Sequence, residues 1–146
     1  MKLVVQRVTE ASVVIDTQAV ATIKQGLVVL VGIKRGDKVE HVDSMVDKIL
    51  HLRVFNDEDK RMNFNIQDIK GDILVVSQFT LYGCCRKGRR PSYDQAEKPA
   101  QANVLYRLFV DRLTDRYAQV KEGVFGGDMR LSLCNDGPVT LLLTTD

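Results

Sequence analysis

An α+β fold is the class this sequence predicts: a compact, mostly antiparallel, β-barrel-like domain with two main helices. Three observations lead there. Short runs rich in β-branched residues, broken by turn signals, fill the first third of the chain and its end. Two stretches place apolar residues at helical spacing. Roughly seven to nine short strands in succession favour antiparallel pairing and closure into a barrel covered by the helices. No repeat, linker or low-complexity segment interrupts the chain, so residues 1–146 are expected to form one domain.

The elements follow in order. Leu3-Val4-Val5 opens a strand, and Ala11 to Ile15 is strand-like through its β-branched residues. Asp16-Thr17-Gln18 suits a hairpin turn into Ala19 to Ile23. Gly26 to Ile33 is a continuous apolar run bounded by glycines, expected to be a strand buried on both faces. Lys34 to Asp37 breaks it. Val39, Val42, Val46, Ile49 and Leu50 then recur at helical spacing among charged residues, predicting an amphipathic helix from Val39 to Leu52. Arg53 to Phe55 reads as a short strand, Asn56 to Lys60 as a charged turn, and Asn63 to Ile66 as a weakly pairing segment. A strand from Ile73 to Thr80 follows. Gly83 to Lys98 is the longest irregular stretch, and ordered loops of that length are often functional. Pro99 suits the first turn of a second helix, with Ala102, Leu105, Tyr106, Phe109, Val110 and Leu113 on a core-facing stripe. Gln119 to Gly123, Met129 to Cys134 and Val139 to Thr144 close the chain as strands.

Composition narrows the function classes. With 45% hydrophobic and 27% charged residues the chain matches an ordinary globular protein, and it has ample length for a core. No apolar run nears the roughly 18 residues that cross a bilayer, and the first residues turn polar too soon for a signal peptide. No membrane association and a cytoplasmic location are therefore expected. Cys84-Cys85 are adjacent and Cys134 is distant, so free thiols are expected rather than a disulfide or a zinc site. Only His41 and His51 occur, both in the first helix, which argues against histidine acid–base chemistry or a histidine-held metal. A net charge of +2 does not announce a nucleic-acid partner. Its distribution is more telling, because Arg86, Lys87, Arg89 and Arg90 surround Gly88. That segment either lies against a phosphate backbone or is a solvated loop. Gly126-Gly127 lacks the spacing of a phosphate-binding loop.

Two polar segments interrupt apolar runs. Ile73 to Val76 runs into Ser77-Gln78-Phe79-Thr80, and strand ends of this kind set polar groups at the edge of a core. On a pleated strand Ser77 and Phe79 share one face, Gln78 and Thr80 the other. If the strand ends there, the N–H groups of Phe79 and Thr80 are free for an oxyanion, and Thr80 is a candidate nucleophile or water-positioning group. The alternative is that the hydroxyls make only local turn bonds. The second segment is Asn135-Asp136-Gly137-Pro138-Val139-Thr140, where Gly-Pro forms a rigid corner. It is either a turn between strands or a carbonyl-bearing wedge for a pocket. Val124 to Met129 flanks Gly-Gly with Phe125 and Met129, which serve either as core or as an apolar sandwich for a purine.

Together these segments resemble the D-aminoacyl-tRNA deacylase family. The resemblance runs through Gln6-Arg7-Val8, Ala11-Ser12-Val13, Gly26 to Gly32, Arg61-Met62-Asn63, Ser77 to Leu81, Lys87 to Ser92, Phe125 to Met129 and Asn135 to Thr140. It implies a homodimer with its active site at the subunit interface and the 3′ end of aminoacyl-tRNA as partner; no cofactor is expected, and the residues offer no ligand set that requires a metal. Ser77, Gln78, Phe79 and Thr80 are the implied catalytic segment. Gly137 and Pro138, joined by a cis bond, reach in from the other subunit, and their carbonyls hold the substrate's α-amino group. Arg7 supports that corner, and Phe125 and Met129 wall the terminal adenosine. The implied reaction is hydrolysis of D-aminoacyl and glycyl esters of tRNA. L-esters are rejected because their side chains strike the corner. Cys84-Cys85 stand where small or acidic residues are usual in the family, and Gly127 where alanine is common. The rival readings are a non-catalytic RNA-binding module and a related deacylase that edits an L-amino acid through a trans Gly-Pro.

Overall fold

The computed structural model describes residues 1–145. Eight strands and two α-helices follow one another. They are β1 (Lys2–Ile15), β2 (Gln18–Ile23), β3 (Gly26–Gly32), α1 (Val39–His51), β4 (Phe55–Asn56), β5 (Met62–Phe64), β6 (Asp72–Ser77), α2 (Pro99–Arg116), β7 (Val120–Glu122) and β8 (Arg130–Thr144). β4 and β5 form a small separate hairpin. The other six strands make one nearly closed, mostly antiparallel sheet. β1 pairs antiparallel with β2, β3 and β8, while β3–β6 and β6–β7 are parallel.

Each face of β3 and β6 meets its own core. Leu27, Val29, Val31, Ile73 and Val75 pack toward the helices, with Ile49, Leu50, Tyr106 and Phe109. Val28, Leu74 and Val76 point the other way, into a cluster with Val8, Ala11, Val13, Ala21 and Ile23. Burial on both faces is why these strands read as unbroken apolar runs. The six-residue stripe of α2 is buried throughout, with Pro99 in the first turn. The apolar face of α1 likewise sinks Val42, Met45, Val46, Ile49 and Leu50.

Three sequence expectations change. Leu3–Val5 and Ala11–Ile15 belong to one strand of 14 residues, not two. Along it Leu3 and Val5 face the helical core, whereas Val8, Ala11 and Val13 face the second cluster. The odd–even alternation breaks where the register with β8 shifts, between Gln6 and Val8 and again between Val8 and Glu10. Bulges of this kind let one long strand serve both cores. Met129–Cys134 and Val139–Thr144 are similarly two halves of β8. Leu131 and Leu133 pack on the second cluster, and Val139, Leu141 and Leu143 on the helical core. The Asn135–Pro138 segment is therefore no turn between strands but a large bulge where β8 changes cores. The expected strand Ile73–Thr80 ends at Ser77, and residues Phe79–Tyr82 form a 3₁₀ turn.

The β1–β2 turn holds Asp16 at φ +47° and Thr17 at φ +70°, with Ile15 paired to Gln18. Two successive positive φ values define the hairpin turn whose twist matches its strands. Among the described residues no helix is long and apolar enough to cross a membrane.

Candidate active site

Strand β6 delivers Ser77 and Gln78 to the rim of the core. The N–H of Gln78 donates to the carbonyl of Val31 at 2.7 Å, one step past the ladder. The chain then coils into the 3₁₀ turn, which packs directly over Gly32. A Cβ at Gly32 would stand 3.1 Å from both the Gln78 carbonyl oxygen and Leu81 Cβ. Missing side-chain bulk at the end of β3 is thus what lets the turn close here. The pleated alternation expected for Phe79 and Thr80 does not apply, since both lie in the turn.

At the start of that turn the N–H groups of Phe79 and Thr80 have no acceptor among the described residues. They are the free donors that a strand ending here was expected to leave. The Gln78 side-chain amide donates to Thr80 Oγ1 at 2.5 Å. That hydroxyl is held by an amide, which cannot take up its proton. His41 sits against Asp37 and His51 against Asp47, and neither lines the cleft or bonds to Thr80.

A cleft of about 630 Å³ opens beside the turn. Ser77, Gln78 and Phe79 line one side, Phe125 and Met129 the other, and Val31, Val76 and Tyr106 lie among its inner walls. Phe125 leans on Tyr106 with ring centroids 5.5 Å apart. Met129 Sδ accepts the Val124 N–H at 3.4 Å, which folds the Gly126-Gly127 loop back on itself. Burial pushes the Tyr106 phenol well above its usual range, with Glu122 adding to the shift, so it stays protonated and donates to the Val75 carbonyl. Tyr106 is a wall here, not an acid or base.

The cleft therefore gathers five of the nine candidate site residues, Ser77, Gln78, Phe79, Phe125 and Met129, and Thr80 follows in the turn. It does not include Arg7, Gly137 or Pro138. These three form a separate unit. The Gly137–Pro138 peptide is cis, and Gly137 has φ +125°. In the β1–β8 register Gln6 pairs with Thr140 and Val8 with Asn135, so Arg7 alone stands opposite residues 136–139. Arg7 is only 7% exposed. Its Nε donates to the Asp136 carbonyl at 3.0 Å and its Nη1 to the Val54 carbonyl at 2.6 Å. It also lies 3.4 Å from the Asp136 carboxylate. A Cβ at Gly137 would come within 3.0 Å of Arg7 Nη2. Gly137 and Pro138 themselves are exposed.

Sequence reasoning missed Tyr93. It lines the cleft and meets Phe79 edge-on at 5.0 Å between ring centroids. It lies in the irregular Gly83–Lys98 stretch, where no periodicity marks a packing residue. Cys84, Cys85 and Cys134 are exposed free thiols.

The chain is similar to known proteins along nearly its whole length. The family profile for D-Tyr-tRNA(Tyr) deacylase matches residues 4–144. A D-aminoacyl-tRNA deacylase of Protochlamydia amoebophila (strain UWE25) is 52% identical over 143 residues, 98% of this chain and 95% of that protein. One from Clostridioides difficile (strain 630) is 50% identical over 143 residues, covering 98% and 96%. The solved structure of a c-Myc DNA Unwinding Element Binding Protein superposes with a TM-score of 0.95 at 42% identity, covering 100% of this chain and 99% of that one. Near-complete coverage at this identity leaves no segment of the cleft or of the Gly-Pro unit outside the likeness, and the chain belongs to the D-Tyr-tRNA(Tyr) deacylase family.

Proposed function

We propose that this protein, an ester hydrolase of the D-aminoacyl-tRNA deacylase family, cleaves D-aminoacyl and glycyl esters from the 3′ end of tRNA and spares L-esters. It does so in a homodimer in which each subunit's Gly137-Pro138 enters the other's cleft. The observation that carries this reading is the separation of two rigid halves. A cleft with free N–H donors and apolar walls lies in one place, and an exposed corner clamped by a buried arginine lies in another. Each half is built to fixed geometry, and neither is a complete chiral site alone.

In the assembled site the terminal adenine lies between Phe125 and Met129. The carbonyls of the partner's corner accept from the substrate's α-ammonium. A D-side chain, or the hydrogen of glycine, then points to open space, whereas an L-side chain meets the Gly-Pro backbone. Water adds to the ester carbonyl carbon, and the carbonyl oxygen becomes an oxyanion bound by the N–H groups of Phe79 and Thr80. Collapse expels the ribose oxygen, which leaves with a proton as the tRNA hydroxyl, and the free D-amino acid departs. The neighbouring ribose hydroxyl guides the attacking water. Thr80 serves to hold Gln78, because among the described residues its hydroxyl is hydrogen-bonded only to that side-chain amide.

Parallel hydrolysis of D-tyrosyl-tRNA and L-tyrosyl-tRNA tests the proposal. Loss of the D-ester with the L-ester intact is expected, and equal loss of both would end the corner argument. Thr80→Val should keep turnover within about tenfold. A dead, folded Thr80→Val protein that still binds tRNA would instead make the hydroxyl the nucleophile. A second reading, nucleic-acid binding without catalysis, draws on the likeness to the c-Myc DNA Unwinding Element Binding Protein. Binding of tRNA with neither ester hydrolysed would favour it.

A further inference from the structure

Beside the cleft stands a short hairpin that the reaction does not use. Cys84 and Ser92 exchange both backbone hydrogen bonds, at 2.7 and 2.9 Å, and so close its base. Gly88, at φ +69°, allows the chain to reverse at its tip. Arg86, Lys87, Arg89 and Arg90 lie between base and tip, and all four are exposed. Without them the chain would carry a net charge of −2 rather than +2, so the whole positive excess resides here.

None of the four makes an ion pair or a side-chain hydrogen bond among the described residues. The three arginines of α2 behave differently. Arg107 pairs with Glu122 at 2.6 Å, Arg116 with Asp47 at 3.0 Å, and Arg112 with Asp43. Carboxylates of α1, β7 and α2 itself face those three. The hairpin concentrates like charge with no acid inside it, which costs repulsion unless an anionic partner offsets it.

The base of the hairpin is fixed to the cleft. Tyr93 follows directly after the closing pair, packs against Gly83, and meets Phe79 edge-on. From the Cys84–Ser92 pair to Gly88 is four residues, a reach of at most about 13 Å. The charged tip therefore stays within that distance of the closing pair, which adjoins the cleft through Tyr93.

We propose that this hairpin grips the phosphates of the acceptor strand just behind the terminal adenosine, and so supplies affinity for tRNA without reading its sequence. The inference rests on the deacylase reading for the position of the 3′ end. Phosphate contacts release counterions, and each lowers the logarithm of affinity by about 0.7–0.9 per tenfold rise in salt. Four contacts amount to a loss of about 50- to 150-fold between 50 and 200 mM salt.

The test compares wild type with a variant carrying Arg86→Gln, Lys87→Gln, Arg89→Gln and Arg90→Gln. Binding of deacylated tRNA is measured at both salt concentrations, with the unfolding midpoint as a control on the fold. Wild type should lose about 50- to 150-fold more affinity than the variant across that range. Equal salt slopes would overturn the proposal. Hydrolysis of D-tyrosyl-tRNA is then set against hydrolysis of D-tyrosyl-adenosine, which is too short to reach the hairpin. The preference of wild type for the full tRNA should fall at least about tenfold in the variant. A wild-type protein that hydrolyses neither ester would end the deacylase reading, while the salt slopes still decide the hairpin's part. A DNA duplex bound as tightly as tRNA, with the same hairpin-dependent slope, would overturn the placement on the acceptor strand.

Discussion

Gly137 holds φ +125°, a conformation that side-chain-bearing residues rarely adopt, and any Cβ there would press on Arg7 Nη2 and Val139 at 3.0 and 3.1 Å. Gly137→Ala must therefore move the corner, the guanidinium or both. A cost of about 1–3 kcal/mol in unfolding free energy is expected. Displacing the corner by even an ångström should lower kcat/KM on D-tyrosyl-tRNA by about 10- to 100-fold. Denaturant unfolding and steady-state turnover measure the two effects, and a variant with unaltered turnover would mean the corner does not touch substrate. Arg7 gives a complementary case. Its planar fork serves the Asp136 and Val54 carbonyls from two different nitrogens. Lysine offers a single charged point and cannot bridge both. Arg7→Lys leaves a carbonyl unpartnered in a nearly dry site, and a loss of about 2–4 kcal/mol is expected by the same unfolding measurement. Loss of D-specific turnover should accompany it.

The β1–β2 hairpin carries local strain of another kind. Thr17 is β-branched yet sits at φ +70°, where glycine is the natural occupant. Thr17→Gly should raise stability by about 1 kcal/mol, with turnover unaltered because neither Asp16 nor Thr17 lines the cleft. A lower unfolding midpoint would show that the threonine side chain contributes more than its backbone costs. The same comparison explains what was legible in the sequence. The α2 stripe and the doubly buried β3 were readable because their signal is periodic and local. The end of β6 was not, since Ser and Thr suit strands well enough. What coils the chain after Gln78 is close approach to Gly32, far off in sequence. Nor was the continuity of β8 readable. A Gly-Pro pair ordinarily ends a strand, but here β1 pairs on both sides of it and Arg7 fills the gap. Tyr93 left no trace because its partner Phe79 lies across a loop.

Across the whole molecule, the proposed site takes its cleft from one chain and its corner from another. β8 runs 15 residues and pairs with β1 alone, leaving its other edge open. Leu142 on it is 60% exposed. An open strand edge of this length is normally covered or blunted, and in the proposed homodimer a second copy covers it while carrying Gly137-Pro138 inward. Shared sites of this kind can be tested by mixing two defective chains. Gly137→Ala damages the corner a chain donates, and Ser77→Trp fills the cleft it receives with. Each homodimer has two damaged sites. In a heterodimer one site takes both lesions and the other takes neither. Equal amounts of the two chains, unfolded and refolded together, give heterodimers as half of all dimers, so about a quarter of wild-type activity should return. If corner and cleft worked within one chain, every site would carry a lesion and the mixture would stay as inactive as its parts.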